Sequence, residues 1–275
     1  MQEETLVKMS DRRYLSDVLG DRFGKITLSL ADDYEGEVIA TLIRRKSQTS
    51  STKAILYIHG FNDYFFQDQM AKRFNNEDYN FYALDLRKYG RSLLNHQKLN
   101  NVRSLLEYDE EINKALQIIK SESNNEVILM GHSTGGLIVT HYAGNHLNSD
   151  LFHGIICNSP FYEFNLNAVE RKIGIPILSF LSRYFPNKLI SNGFSKLYGY
   201  SLHNGKYGEW NYSLAWKEGD AVLNVKHIQY YANKIKGNVT SCEIENGMHD
   251  LILSKKPVRE RVYKKMFEWM DNNFI

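Results

Sequence analysis

Val127-Ile-Leu-Met-Gly-His-Ser-Thr-Gly-Gly136 is the stretch whose reading decides the fold. Val127–Met130 is an apolar run of strand character, and Leu137–Leu147 beyond it has the character of a helix. Between them, Gly131-His132-Ser133-Thr134-Gly135 fits G-x-S-x-G, the strand-to-helix turn that lifts a serine hydroxyl clear of a sheet. Such a turn forces the serine into strained backbone geometry. Glycines two before and two after it remove side chains that would clash. The helix that follows turns its free N–H groups toward the hydroxyl, where they favour developing negative charge. Ser133 is therefore the candidate nucleophile.

Strand and helix alternate outward from this turn. Lys25–Leu30 and Val38–Arg45 flank the turn-rich Asp32–Gly36 and predict an antiparallel hairpin. Ala54–Ile58 is a continuous apolar run of the kind found in a strand covered on both faces, and Phe81–Leu84 is another strand. Val102–Lys120 has helical periodicity through Leu105, Leu106, Ile112, Leu116 and Ile119. After the elbow come a strand at Gly154–Cys157, a helix at Val222–Lys234, a strand at Val239–Ile244 and a closing helix at Lys256–Asn272. That last helix is expected to bury Val258, Val262, Met266, Trp269 and Met270. The alternation predicts an α/β fold, a mostly parallel sheet flanked by helices. Regularity fails from Pro160 to Trp216, where an apolar, helix-prone segment (Ile173–Tyr184) precedes an aromatic, glycine-rich one. The expected organisation is thus core at 1–159, an inserted cap at 160–216, and core again at 217–275.

The composition excludes several classes. The 275 residues carry a net charge of +2, no footprint for nucleic acid. Arg44-Arg45-Lys46 reads as a solvated strand end or loop. Cys157 and Cys242 lie in apolar, strand-like stretches and are expected as buried free thiols, with neither a disulfide framework nor a zinc site. The first twenty residues hold no apolar signal region, and no segment approaches the roughly 18 apolar residues of a membrane span. The expectation is a cytoplasmic protein without stable membrane insertion.

His59-Gly60-Phe61-Asn62 follows the strand Ala54–Ile58, upstream of the elbow. In a sheet of this kind the oxyanion hole takes one N–H from the residue after the nucleophile, here Thr134, and one from an earlier strand-end loop, here Phe61. Nine histidines compete for the base. His249, in Gly247-Met248-His249-Asp250, occupies the loop before the final helix, where this chain order places it. His132 lies inside the elbow and is expected to pack beneath it, while His141, His146 and His227 sit on helical stretches.

His59-Gly60-Phe61, Asp85-Leu-Arg-Lys-Tyr-Gly-Arg-Ser92, Gly131–Gly136 and Gly247-Met-His249 together resemble the α/β-hydrolase superfamily, within it the monoacylglycerol-lipase and lysophospholipase-like branch. Asp85–Ser92 is similar to that branch's D-x-R-x-x-G-x-S loop, which supports the site without doing chemistry. The resemblance implies cleavage of carboxylic esters through an acyl-enzyme, with no metal or organic cofactor. The apolar Ile173–Leu181 and the Tyr- and Trp-rich remainder of the cap suggest a pocket for the apolar acyl group of a small ester, short-chain or monoacylglycerol-like, while packing of the cap onto the sheet is the other role open to them.

The family normally carries a strand between the cap and the triad acid. Here Trp216-Lys-Glu-Gly-Asp220 runs directly into Ala221-Val-Leu-Asn-Val225, as though that strand were deleted. Asp220, 29 residues before His249, is the expected acid. Glu163 is the rival, because it follows the Gly154–Cys157 strand, and Glu218 is third. An N-cap for the helix from Ala221 is the other role open to Asp220. The abbreviated segment also leaves a second class open: a catalytically impaired relative that binds ligands or partners.

Overall fold

The computed structural model describes residues 14–20, 22–164, 166–167, 169–182, 184–185, 223 and 225–274. The chain folds as two compact units that divide after Pro160, with Phe274 belonging to the first and the rest of the second running to its end.

The first unit is a seven-stranded sheet: β1 (Leu15–Ser16), β2 (Gly24–Ser29), β3 (Ile39–Arg45), β4 (Lys53–Ile58), β5 (Tyr79–Asp85), β6 (Glu126–His132) and β7 (Gly154–Asn158). Their spatial order is β1-β2-β3-β5-β4-β6-β7. The pairs β5–β4, β4–β6 and β6–β7 are parallel, whereas β1, β2 and β3 run antiparallel to their neighbours. The hairpin and every strand expected up to Cys157 are present. Helices α1 (Asp68–Asn76), α2 (Asp109–Ser121) and α3 (Thr134–Asn145) cover the sheet.

Alternation along the central strands sorts side chains to two faces. Ala54, Leu56 and Ile58 of β4, with Tyr82 and Leu84 of β5, join a buried cluster with Ile112, Leu116 and Ile119 of α2 and Val139 and Tyr142 of α3. Tyr57 and Phe81 point the other way into an aromatic group with Phe65 and with Phe74 of α1. The helix expected over Val102–Lys120 begins later. A capping box at Ser104 and Glu107 opens a 3₁₀ turn over Leu105–Tyr108, and α2 follows it.

The basic run at the end of β3 is less solvated than its charge predicts. Arg44 pairs with Glu122 at 2.8 Å and lies over the Tyr14 ring, while Arg45 is buried and bonded to Asn75.

In the second unit, Glu170–Gly174 is a π-turn that runs without a break into α4 (Ile175–Ser182), and Pro176, which has no backbone N–H to donate, falls at the junction of the two. Then come α5 (Val225–Ala232), a 3₁₀ turn at Leu251–Leu253, and α6 (Lys256–Asn273). On α6 the buried residues are Val258, Val262, Tyr263, Phe267 and Met270. Tyr263 and Phe267 thus join the expected face, while Met266 and Trp269 are only half-buried. Val239–Ile244, expected as the last strand, forms none. Val239 and Cys242 are exposed, and among the described residues the stretch has neither the hydrogen-bonding neighbour nor the two covered faces that stabilise such a strand. Neither cysteine is a buried thiol: Cys157 on β7 is half-buried.

Candidate active site

β6 ends at His132 and α3 begins at Thr134, leaving Ser133 alone to turn the chain. It does so at φ 52° and ψ −117°, a conformation that costs on the order of 1–3 kcal/mol and persists only where the surroundings impose it. The surroundings here are backbone. Ser133 N–H donates to Asn158 O of β7 at 3.0 Å. A Cβ on Gly131 would lie 2.3 Å from Gly135 O, and one on Gly135 would lie 2.3 Å from Ile58 O. Only glycines let β4, β6 and the first turn of α3 approach so closely. His132 is buried with Nδ1 3.2 Å from Asn158 O, packed where its place in the elbow predicts.

The His59–Gly60–Phe61 loop meets the elbow. A Cβ built on Gly60 would sit 3.3 Å from Ser133 Cβ, so the loop passes directly beside the serine. His59 anchors it. Its Nε2 accepts from Leu86 N–H at 3.1 Å, so Nδ1 carries the proton and donates to Gly60 O at 2.8 Å. Burial pushes the His59 pKa below 6.5, against the opposing pull of Asp85, and keeps the ring neutral. Phe61 follows in a turn with its side chain half exposed.

The loop after β5 braces this arrangement. Asp85 Oδ1 accepts from Phe65 N–H at 2.9 Å, and Ser92 Oγ donates back to Asp85 O at 2.7 Å. Arg87 places its guanidinium on the buried Glu111 carboxylate, with the shortest contact 2.6 Å. Each polar residue of the expected D-x-R-x-x-G-x-S pattern is thus spent on holding backbone or on a buried ion pair. Sequence reasoning missed Asp17, whose carboxylate reaches this loop from 74 positions away.

The structure therefore brings Ser133, Thr134, Gly60 and Phe61 into one region of the first unit. His249 lies in the second unit, buried, on a loop shaped by Asn246 at φ 59°. Met248 N–H donates to Ser254 Oγ at 2.9 Å, and Asp250 Oδ1 caps the following 3₁₀ turn at Ile252 N–H. Glu163 pairs with Arg171 at 3.0 Å and lies 3.8 Å from His227 Nδ1. Asp220 and Glu218 lie outside the described residues, as does most of the stretch expected as the cap. Among the described residues no cluster of His, Cys, Asp and Glu could hold a metal, and no helix is long and apolar enough to cross a membrane.

A strained serine between a parallel strand and a helix, in a sheet of this order, defines an α/β-hydrolase. Residues 49–210, more than half of the chain, match the family described as serine aminopeptidase, S33, and the chain belongs to that family. Its fold is similar to a soluble variant of monoglyceride lipase from Saccharomyces cerevisiae in complex with a substrate analog. That likeness has a TM-score of 0.66 at 16% identity and covers 89% of this chain and 94% of the lipase. A protein from Thermoplasma acidophilum described as a predicted CIB-like hydrolase is similar over 90% of this chain and 100% of its own, at TM-score 0.53 and 18% identity. A carboxyl esterase from Bacillus coagulans, in complex with glycerol, is similar at TM-score 0.50 and 17% identity over 61% of this chain and 53% of the esterase. No curated protein matches the chain.

Proposed function

We propose that the protein is a serine hydrolase that cleaves small carboxylic esters with an apolar acyl group through an acyl-enzyme. The observation that carries this reading is the backbone of Ser133, held at φ 52° beside the Gly60 loop. Strain of that size at a serine ending a central strand is retained where a hydroxyl must be presented. Ser133 Oγ attacks the acyl carbon while His249 accepts its proton. The N–H groups of Phe61 and Thr134 hold the oxyanion, and His249 then protonates the leaving alkoxide. Water, deprotonated by His249, releases the acid and restores Ser133. Asp220 orients His249 and stabilises its imidazolium. The engagement of Glu163 with Arg171 and His227 supports Asp220 over that rival.

The apolar run Ile173–Leu181 supports an apolar acyl group, and the monoglyceride lipase and carboxyl esterase among the similar structures favour esters over the peptides in the family's description. Two free thiols support a reducing, cytoplasmic setting. One observation favours the second reading, an impaired binding protein: among the described residues no strand follows β7. Kinetics with p-nitrophenyl esters of increasing acyl length, beside an aminoacyl p-nitroanilide, separate these readings. Ester turnover that vanishes in Ser133→Ala supports the esterase. Anilide turnover alone makes the protein a peptidase, and no turnover of either leaves the binding protein.

A further inference from the structure

We propose that Asp17 and Arg91 are positioning residues that clamp the loop carrying the oxyanion N–H of Phe61. The inference deepens the esterase reading and rests on it for its kinetic consequence. The span Phe61–Tyr64 is largely solvent-facing and hangs between two fixed points. The first is His59–Gly60, bound to Leu86 N–H and seated against Ser133. The second is Phe65, which is fully buried.

Both backbone groups of Phe65 are held. Its N–H donates to Asp85 Oδ1 at 2.9 Å, and its carbonyl accepts from Arg91 Nη1 at 3.0 Å. The same Arg91 Nη1 donates to Asp85 Oδ2 at 2.8 Å. On its far side the guanidinium forks onto Asp17, with Nε to Oδ2 at 2.7 Å and Nη2 to Oδ1 at 2.9 Å. Asp17 Oδ1 also accepts from Leu19 N–H, and Lys25 Nζ stands 4.0 Å from Oδ2. Asp17 and Asp85 are buried, so their charges are compensated by this one guanidinium together with Lys25 and backbone N–H groups.

A planar five-donor fork suits a residue that must join two carboxylates and a carbonyl at once; a lysine cannot reproduce it. Burial alone would raise the Asp17 carboxyl, but the bonds from Arg91 and Leu19 and the nearby cations hold it below its ordinary value. Arg91 is thus ionised and locked. A lighter tie runs from Asn100 Nδ2 to Asn62 Oδ1 at the exposed side of the same span. Nothing in the chemistry of ester cleavage touches Asp17 or Arg91 directly. Their effect is on where the Phe61 N–H points when charge develops on the acyl oxygen.

The test compares Asp17→Asn and Arg91→Lys with Arg44→Met, which removes a different ion pair of the same sheet. Two readouts are taken on folded protein: amide exchange at Phe65, and the KM and kcat for a p-nitrophenyl ester. The expected result is exchange at Phe65 at least about tenfold faster in both clamp variants. The kcat should fall by about 10- to 100-fold with KM little changed, because donor placement matters in the transition state. Arg44→Met should change neither. Protection of Phe65 equal to that of Arg44→Met overturns the clamp, and so does a kcat loss no larger than in that variant. If the wild-type protein turns over no ester, the esterase reading fails by itself, and the Phe65 exchange rates still decide the clamp.

Discussion

Ser133 is held in its strained turn because its neighbours have no side chains to obstruct it. A Cβ at Gly135 would press on two carbonyl oxygens, Ile58 O at 2.3 Å and His59 O at 2.4 Å, and neither can swing away as a side-chain tip could. Gly135→Ala should therefore displace the elbow, costing about 1–3 kcal/mol of stability. Urea denaturation should show that loss, and labelling of Ser133 by a fluorophosphonate should slow far more than the stability change alone explains. His59 adds a pH term. Its folded pKa lies below 6.5, so the unfolded chain binds the extra proton first, and stability should fall as pH drops below about 6.5. A urea midpoint that stays level or rises between pH 7.5 and 5.5 would contradict the buried neutral ring. For the triad acid, Asp220→Asn should lower kcat by about four orders of magnitude, whereas Glu163→Gln should cost little; the reverse outcome would move the role to Glu163. At this scale the serine, its glycines and the His59–Gly60 loop are readable in the sequence, because local spacing encodes a turn. Asp17 is not, since an ion pair across 74 positions leaves no local pattern.

Elements are legible in proportion to how fully they are buried. The central strands read correctly because both faces demand apolar side chains: all seven residues of β5 are buried. Helix α1, Asp-Gln-Met-Ala-Lys-Arg-Phe-Asn-Asn, leaves a faint pattern because it buries only Met70, Ala71, Phe74 and Asn75. Val239–Ile244 misleads in the opposite direction. Its β-branched residues fit a pleated, half-buried surface, but propensity of that kind has little force without a partner strand. The loop bearing His249 depends on a smaller device, the Asp250 side chain capping the 3₁₀ turn Leu251–Leu253. Asp250→Ala should lower stability by about 1 kcal/mol, a loss readable as a shifted midpoint in urea.

For the molecule as a whole, periodicity predicts a sheet covered by helices but not the strand order, which follows from crossovers between distant segments. β4 sits between β5 and β6, so its carboxyl end delivers His59 and Gly60 beside the elbow that ends β6. The core around β4 is general rather than chemical. Leu56→Ala should cost about 2–5 kcal/mol while leaving the Ser133 reaction of the folded fraction intact. The most direct measurement of the central claim is covalent labelling by a fluorophosphonate, followed by peptide mapping and read alongside p-nitrophenyl ester turnover. A single adduct on Ser133 is expected, with both labelling and turnover lost in Ser133→Ala. An adduct elsewhere, no adduct, or turnover that survives Ser133→Ala would contradict it.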